Sequence, residues 1–354
     1  MKTTIEQQTP SPSNNRMNWS NVGLKERQKS FNALYIEHED VRAVEKIMAN
    51  KLQEIDDADV DIDIDCDRYY DTPNTLGSGL MVIGEPGTGK TTFANRVMHR
   101  HPRVFTVNKT FIPAAYMRIP ATVTPKGMGE SLLMALKDPN PKGKATDLLH
   151  RGIMLMRKCR VRILMIDDFQ DIPARRTKGI ADIGDWLRIL IDATPTLVIA
   201  MGTPSASIVR DSSDQVRKRI QATAHFLPFL VSLSDPTKWE EQKTNMPKWL
   251  SLLACLDDEL PLAKTSNLKD PETAMLLLQA SNGGFSHLKT ILRHAIACAV
   301  EGECESIERE HLKNAFERTF GDAARKGNPF EKDYDGAPLT RPGQAFFKYA
   351  AGSK

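Results

Sequence analysis

The pattern of apolar and polar residues divides the chain into two parts. In the first part, wholly apolar runs at residues 80–83 and 163–166, and the run 196–201 that is apolar after Thr196, have the length of buried parallel strands. Before and between them lie stretches such as 39–55 and 183–191, in which apolar residues recur every three or four positions and predict amphipathic helices. Strands that alternate with helices predict an α/β fold with a central parallel sheet.

The second part begins near Trp239, where the apolar strands stop and only amphipathic helices follow. We therefore predict four segments. A flexible N-terminal arm covers residues 1–38, an α/β core 39–236, an all-helical lid 237–320, and a C-terminal tail 321–354. The arm is polar at its start, and the tail is too short for a core of its own, so we expect the tail to be disordered alone or to dock on a partner.

The first apolar strand leads into the spacing G-x-x-x-x-G-K-[ST] at residues 84–91. Glycines let backbone N–H groups approach a phosphate chain, the lysine adds an ammonium for the β and γ phosphates, and the following helix offers its positive N-terminus. The motif therefore predicts nucleotide binding. The candidate nucleotide-binding residues are Gly84, Glu85, Pro86, Gly87, Thr88, Gly89, Lys90, Thr91 and Thr92.

The second apolar strand ends in two carboxylates, Asp167 and Asp168. The carboxyl end of a parallel strand faces the ligand in such sheets. We expect Thr91 and Asp167 to hold Mg²⁺, and Asp168 to polarise the attacking water. Asp168 is one methylene shorter than a glutamate, which reduces its reach by about 1.5 Å, so we predict slow hydrolysis.

Two further groups of polar residues have two interpretations each. Thr203, after the third strand, is either a sensor of the γ-phosphate or part of a simple turn. Thr124 followed by Pro125 is a good helix start. The same helix N-terminus could instead present N–H groups and positive charge to a DNA backbone. The candidate DNA-contacting residues are Arg118, Thr122, Thr124 and Lys126.

Composition adds limits but no function. With 354 residues, of which 40% are hydrophobic and 26% charged, the chain has the profile of a globular protein with a real core. A formal charge of +3 is too small to indicate nucleic-acid binding by itself. Five cysteines without a C-x-x-C pair favour a reducing cytoplasm. We find no apolar run long enough to span a membrane and expect no membrane partner.

The order of these motifs resembles that of the AAA+ ATPases. Within them the chain is similar to the TnsC/TniB group of transposition regulators, including those of CRISPR-associated transposons. The resemblance rests on four stretches and covers roughly residues 35–330. They are Ile166-Asp167-Asp168-Phe169-Gln170, Met201-Gly202-Thr203-Pro204, Asp214-Gln215 leading to Arg219-Ile220, and Leu260-Pro261-Leu262 with Ser266 and Leu268.

The resemblance implies an ATPase that uses ATP and Mg²⁺ and assembles as a helical or ring homo-oligomer around double-stranded DNA. Such an assembly would link a target-selector protein to a transposase, and hydrolysis would control disassembly. The resemblance also implies that Arg219 is an arginine finger for a neighbouring subunit and that Thr203 is the sensor-one residue. His287 stands where a sensor-two arginine is expected, and Lys289 is the alternative.

Two other classes of function compete with this interpretation. One is a nucleotide-dependent scaffold or signalling switch that contacts only proteins and shows no DNA-stimulated hydrolysis. The other is a P-loop small-molecule kinase, against which the Gly-Thr strand end and the long helical block argue.

Overall fold

The structure, a computed structural model, describes residues 19–58, 76–107, 109–175, 179–227, 229 and 239–347. The chain forms two compact units. The first, the α/β unit, covers residues 37–228, and the second, the helical unit, combines residues 1–36 with 229–354. Among the described residues, none of the helices has the length and apolar character of a membrane span.

A five-stranded parallel sheet in the order β4-β5-β6-β1-β7 forms the centre of the α/β unit, and β2 and β3 make a separate antiparallel hairpin. The strands are β1 (Ser78–Gly84), β2 (Val104–Phe105), β3 (Thr110–Phe111), β4 (Ala114–Arg118), β5 (Ile163–Asp167), β6 (Leu197–Gly202) and β7 (Ala222–Phe226). Strands β1, β5 and β6 are buried almost throughout, which explains why they read as continuous apolar runs.

Helices surround this sheet and bury their apolar faces against it. They are α2 (Glu39–Asp57), α3 (Lys90–Arg100), α4 (Pro125–Ala135), α5 (Ala145–Lys158), α6 (Asp171–Arg175), α7 (Ile180–Ala193), α8 (Ser207–Arg210) and α9 (Asp214–Arg219). Ile166 of β5 and Leu132 of α4 belong to the same buried core as Leu187 of α7. Because β1 and β5 both lie inside the sheet, their carboxyl ends bring Gly84 and Asp167 to one edge of it.

The described residues of the helical unit form helices and turns. Their helices are α1 (Leu24–Ala33), α10 (Trp239–Asp258), α11 (Pro271–Ser281), α12 (Phe285–Glu301) and α13 (Arg309–Phe320). Leu277, Leu292 and Phe316 lie in their shared core, together with Phe31 of α1. The predicted fold class, an α/β core with a parallel sheet followed by a helical part, is confirmed.

The N-terminal segment differs from the expected flexible arm. Residues 24–33 form α1, whose Arg27 is only 2% exposed. The Arg27 guanidinium donates two hydrogen bonds to the Glu305 carboxylate, at 3.0 and 2.9 Å, and one to the Pro261 carbonyl at 3.2 Å. Lys289 donates to the carbonyls of Asn32 and Leu34. These contacts attach α1 to the helical unit, whereas residues 1–18 of the predicted arm lie outside the described residues.

The C-terminal tail also differs from the prediction. Residues 321–347 fold onto the helical unit instead of forming a disordered segment, because Phe330, Leu339 and Phe346 are each at most 2% exposed in its core. The last residues, 348–354, lie outside the described part of the chain. The boundary between the units falls at residues 228 and 229 instead of 236 and 237.

Candidate functional site

The loop between β1 and α3 has a backbone that only glycine adopts without strain. Gly87 and Gly89 have φ angles of 81° and 102°, both in the left-handed region. At Gly84 a Cβ atom would lie 2.6 Å from the carbonyl oxygen of Phe226, so the floor of the loop excludes any side chain. The loop therefore leaves backbone N–H groups accessible ahead of the α3 N-terminus, as phosphate binding requires.

Other residues of the loop stabilise its shape. Thr88 is buried, and its Oγ1 donates a hydrogen bond to the Glu85 carbonyl at 2.8 Å. Glu85 and Pro86 are exposed on the outer side of the turn, and Thr92 is exposed in the first turn of α3. Thr88 thus stabilises the loop from inside, whereas Glu85, Pro86 and Thr92 are accessible to a ligand.

Lys90 lies over the loop that precedes it. Its Nζ donates to the carbonyls of Gly84 and Glu85, at 2.6 and 2.9 Å. Burial lowers the pKa of Lys90, and the carboxylates of Asp167, Glu85 and Asp168 oppose that effect. An ammonium has three donors, so a third N–H remains for a phosphate oxygen.

The two carboxylates at the end of β5 have different environments. Asp167 is 2% exposed, and its Oδ2 accepts a hydrogen bond from Thr91 Oγ1 at 2.8 Å. Its Oδ1 accepts the Asp168 backbone N–H at 2.9 Å. The Asp168 side chain is 45% exposed and its φ is 58°, a left-handed conformation that aspartate adopts more readily than most residues. The structure therefore joins the predicted pair Thr91 and Asp167 directly and leaves Asp168 accessible.

Two residues of β4 complete this group, and sequence reasoning did not assign either of them to it. Tyr116 OH donates to Asp167 Oδ2 at 2.9 Å, and Arg118 Nε donates to Tyr116 OH at 3.0 Å. Arg118 Nε also lies 3.8 Å from Asp168 Oδ2. Burial raises the pKa of Tyr116. The available signal was their spacing: residues two apart on a strand share a face, and β4 ends beside β5.

Thr203 follows β6 and connects to Asp168 through one glutamine. Gln170 Oε1 accepts the Thr203 backbone N–H at 3.2 Å, and Gln170 Nε2 donates to Asp168 Oδ1 at 3.3 Å. The Thr203 hydroxyl lies 3.1 Å from Ser205 Oγ. Thr203 therefore opens a short 3₁₀ turn and also borders the acid pair. Gln170 is a further site residue, which sequence reasoning did not assign to the site.

Arg219 ends α9, and the structure pairs it within its own subunit. Its Nε and one terminal nitrogen donate to the two carboxylate oxygens of Asp192 in α7, at 2.8 and 3.2 Å. By contrast, the Arg217 side chain is 55% exposed and lies near Asp211 and Asp214.

The sensor-two candidates lie in the helical unit and have partners there. The His287 ring packs against Phe320 and Phe346, and its Nδ1 lies 3.2 Å from the Ser281 carbonyl oxygen. Burial lowers the pKa of His287, because it disfavours the charged imidazolium. Lys289 is occupied by the carbonyls at the end of α1. Within this subunit, burial thus disfavours a positive charge on His287, and Lys289 caps the end of α1.

The structure separates the DNA-contact candidates into two groups. Thr122, Thr124 and Lys126 lie together at the start of α4, where Thr124 Oγ1 accepts the Gly127 backbone N–H at 3.0 Å as an N-cap. Lys126 is 59% exposed. Arg118 lies at the end of β4, where it donates to Tyr116 beside the acid pair, and its contact with DNA stays a prediction as well. The helix-start interpretation of Thr124 is thus realised, and DNA contact at this end of α4 stays a prediction.

The site contains the hard oxygen donors that Mg²⁺ prefers. Among the residues that the structure describes, no group of three or more His, Cys, Asp or Glu side chains could hold a metal ion. Mg²⁺ in nucleotide sites does not need such a group, because it is bound by one or two protein ligands together with phosphates and water. Thr91 and Asp167, linked at 2.8 Å next to the glycine loop, fit this requirement.

The strand order, the glycine loop, the acid pair and the second, helical unit define the AAA+ fold. The structure is similar to the ORC2 protein of Aeropyrum pernix in ADPNP–ADP complexes, with a TM-score of 0.53 and 12% identity over 83% of this chain and 72% of that chain. It is also similar to A. pernix ORC1 in complex with DNA, with a TM-score of 0.52 and 16% identity over 84% of this chain and 71% of that one. At these identities the similarity shows the fold alone.

A third similar structure is Drosophila ORC bound to DNA, with a TM-score of 0.50 and 16% identity over 92% of this chain and 72% of that one. At the level of families, the model of the bacterial TniB protein matches residues 66–227. The matched range contains the glycine loop, the acid pair and Arg219. No curated protein matches the chain.

Proposed function

We propose that this protein is an ATP- and Mg²⁺-dependent AAA+ ATPase that assembles on double-stranded DNA and regulates transposition. In this role it links a target-selection complex to a transposase, and ATP hydrolysis controls disassembly. The match to the TniB family model over residues 66–227 supports the link to transposition. The observation that carries the ATPase proposal is the hydrogen bond between Thr91 and Asp167, which joins the glycine loop to the acid strand at 2.8 Å.

The residues of the site divide the work of binding and hydrolysis. The backbone of residues 84–89 and the Lys90 ammonium bind the phosphates, and Thr91 with Asp167 would hold Mg²⁺. This ion, when bound, would supply positive charge to the β and γ phosphates. Asp168, which is exposed and next to Gln170, orients a water molecule and accepts its proton.

Assembly would complete this site. We propose that Arg219 of one subunit reaches the nucleotide of the next and that Thr203 reports the γ-phosphate. A finger of this kind raises the rate by about 10³ to 10⁵, so hydrolysis would depend on the contact between subunits. Because ATP would be bound at the contact between two subunits, bound ATP would mark an interface that has formed.

DNA would bind through its phosphates. Thr122, Thr124 and Lys126 at the start of α4 are groups that bind a phosphate backbone, so we expect little sequence preference. Among the structures that resemble this chain, A. pernix ORC1 and Drosophila ORC were solved with DNA. This supports DNA as the partner without identifying the contacts.

The decisive experiment compares the parent protein with Lys90→Ala. Lys90→Ala removes the phosphate-binding ammonium but leaves the loop glycines in place. We expect the parent to form rings or helices on duplex DNA with a non-hydrolysable ATP analogue, visible by electron microscopy, and Lys90→Ala to form none. Equal assembly by both proteins would replace this proposal with a nucleotide-independent scaffold.

A second candidate function is a nucleotide-dependent protein scaffold without DNA-stimulated hydrolysis. The pairing of Arg219 with Asp192 favours it, since a finger that stays in its own subunit leaves the neighbouring site without one. ATPase assays with and without duplex DNA separate the two functions. DNA-stimulated hydrolysis supports the first, and the absence of both DNA binding and stimulation supports the second.

A further inference from the structure

Four side chains form a continuous chain of hydrogen bonds across the edge of the sheet. Thr91 Oγ1 and Tyr116 OH both donate to Asp167 Oδ2, at 2.8 and 2.9 Å. Arg118 Nε then donates to Tyr116 OH at 3.0 Å. The chain thus runs from the start of α3 to the exposed end of β4.

The sheet register fixes this arrangement. Strands β4 and β5 are parallel, with Arg118 opposite Asp167. Tyr116 lies two residues earlier on the same face of β4, so its hydroxyl reaches the same carboxylate. Asp167 is 2% exposed and accepts three donors in all, those of Thr91, Tyr116 and the Asp168 backbone. A buried carboxylate with three donors has one defined orientation.

We propose that Tyr116 and Arg118 are positioning residues of the Mg²⁺ and nucleotide site. Tyr116 orients Asp167 and, through it, the Thr91 hydroxyl, and Arg118 holds Tyr116 in place. The inference rests on the proposed function, because it concerns the same site. It assigns Arg118 to nucleotide binding instead of to the DNA contacts at the start of α4.

The physical consequence of this role is specific to Mg²⁺. Without the Tyr116 hydroxyl, Asp167 keeps the Thr91 and Asp168 donors but loses one restraint on its rotation. Mg²⁺ demands near-ideal octahedral geometry, so a loosened Asp167 and Thr91 pair binds it less well. The glycine loop and Lys90 do not depend on this restraint, and nucleotide binding without the ion should be unchanged.

The test measures binding of a fluorescent ATP analogue without DNA, once with Mg²⁺ and once with EDTA. Tyr116→Phe removes only the hydroxyl, and Arg118→Gln removes the charge from a side chain that is 63% exposed. Tyr334→Phe is the matched control, since it deletes a tyrosine hydroxyl that donates to the Ala337 carbonyl in the helical unit.

With Mg²⁺ we expect Tyr116→Phe to weaken binding on the order of tenfold, the effect of one hydrogen bond to a charged group. Arg118→Gln should weaken it in the same direction by a smaller factor. With EDTA both variants should bind like the parent, and Tyr334→Phe should match the parent in both conditions.

Each other outcome overturns the inference in a recognisable way. Parent-like binding of both variants with Mg²⁺ removes the positioning role while the proposed function stands. Equal losses with Mg²⁺ and EDTA, together with a lower melting temperature of ligand-free Tyr116→Phe, indicate a purely structural tyrosine. If Arg118→Gln binds the analogue like the parent but shows weaker duplex binding in a separate anisotropy titration, Arg118 belongs to the DNA surface instead. If the parent protein itself binds no nucleotide, both the proposed function and this inference are wrong.

Discussion

Arg219 and Asp192 form a two-pronged ion pair between α9 and α7, with N···O distances of 2.8 and 3.2 Å. Both side chains are about a quarter exposed. Arg188 lies 3.5 Å from the same carboxylate, so Asp192 keeps a cationic neighbour when Arg219 leaves. The pair therefore holds Arg219, the proposed finger, inside its own subunit. Its release would cost little electrostatic energy, because Arg188 would still neutralise Asp192.

The first prediction concerns this pair. Arg219→Ala should lower DNA-stimulated ATP hydrolysis by about 10³ or more, and nucleotide affinity should stay within about twofold of the parent, because the finger acts on a neighbour. Steady-state hydrolysis and titration of an ATP analogue measure the two effects. In a mixture of Arg219→Ala and Lys90→Ala subunits, each defect lies at a different side of the interface, so activity should return in part. No recovery in the mixture would place Arg219 in a structural role.

The control for that prediction is Asp192→Asn, which keeps the shape of the side chain but removes its charge. We expect it to lower the protein concentration needed for half-maximal hydrolysis, since Arg219 is released. An unchanged concentration would show that Asp192 does not restrain the finger.

A second prediction follows from the short acid Asp168. Asp168→Glu moves the carboxylate forward by about 1.5 Å and should raise the single-turnover rate of ATP cleavage on DNA. The left-handed backbone at φ 58° is less suitable for glutamate than for aspartate, so a slightly lower melting temperature should accompany the gain. Asp168→Asn, which cannot accept a proton, should abolish cleavage. An Asp168→Glu rate equal to that of the parent would remove reach as the cause of slow hydrolysis.

The third prediction separates DNA contact from helix capping at α4. Lys126→Ala should weaken duplex binding uniformly across sequences and reduce the slope of log K against log salt by about 1. Fluorescence anisotropy at several salt concentrations measures both quantities. Lys46→Ala, which removes an exposed lysine from α2, is the control and should change neither. Unchanged low-salt affinity of Lys126→Ala would show that the DNA surface lies elsewhere.

The fourth prediction concerns the attachment of α1. Arg27→Met removes a buried guanidinium from Glu305 and should reduce the free energy of unfolding by about 2 to 3 kcal/mol. Urea unfolding measures the loss, and faster hydrogen exchange in α1 locates it. Lys25→Met, an exposed change on the same helix, is the control. Unaltered exchange in α1 would contradict the importance of this ion pair.

The same contact makes the attachment sensitive to acid. The hydrogen bonds from Arg27 hold the pKa of Glu305 below its ordinary value of 4.5. A lowered folded-state pKa means that the unfolded chain binds the proton more readily, so the stabilisation is complete above that ordinary value and disappears as pH falls through the lower, folded value. The protection of the α1 amides against hydrogen exchange, taken relative to the intrinsic exchange rate at each pH, should therefore fall below pH 4.5 in the parent but not in Arg27→Met.

The sequence predicted those features whose cause is local. The glycine loop, the buried strands β1, β5 and β6, helix α2 and the helices that follow Trp239 all follow from spacing within a few residues, whereas α1 lies in the segment that we expected to be a flexible arm. Strand β7 was not predicted, because its residues Ala222–Phe226 contain no continuous apolar run and derive their order from pairing with β1.

What the sequence could not show depends on partners far apart in the chain. Arg27 and Glu305 are separated by 278 positions, and neither has a pattern that indicates the other. Tyr116 and Asp167 meet only through the register of two parallel strands. The pairing of Arg219 with Asp192 likewise needs the packing of α9 against α7. Residue roles were thus predictable where a motif fixes them and unpredictable where tertiary contacts do.

The union of α1 with helices from the other end of the chain affects how the protein matures. During synthesis, α1 leaves the ribosome before the α/β unit, whereas Glu305 and Pro261 emerge only after it. Because domains fold as units during translation, Phe31 lacks its core partners from Trp249 onward until the α/β unit has been made. The core of the helical unit can consequently close around α1 only after the whole α/β unit has been synthesised.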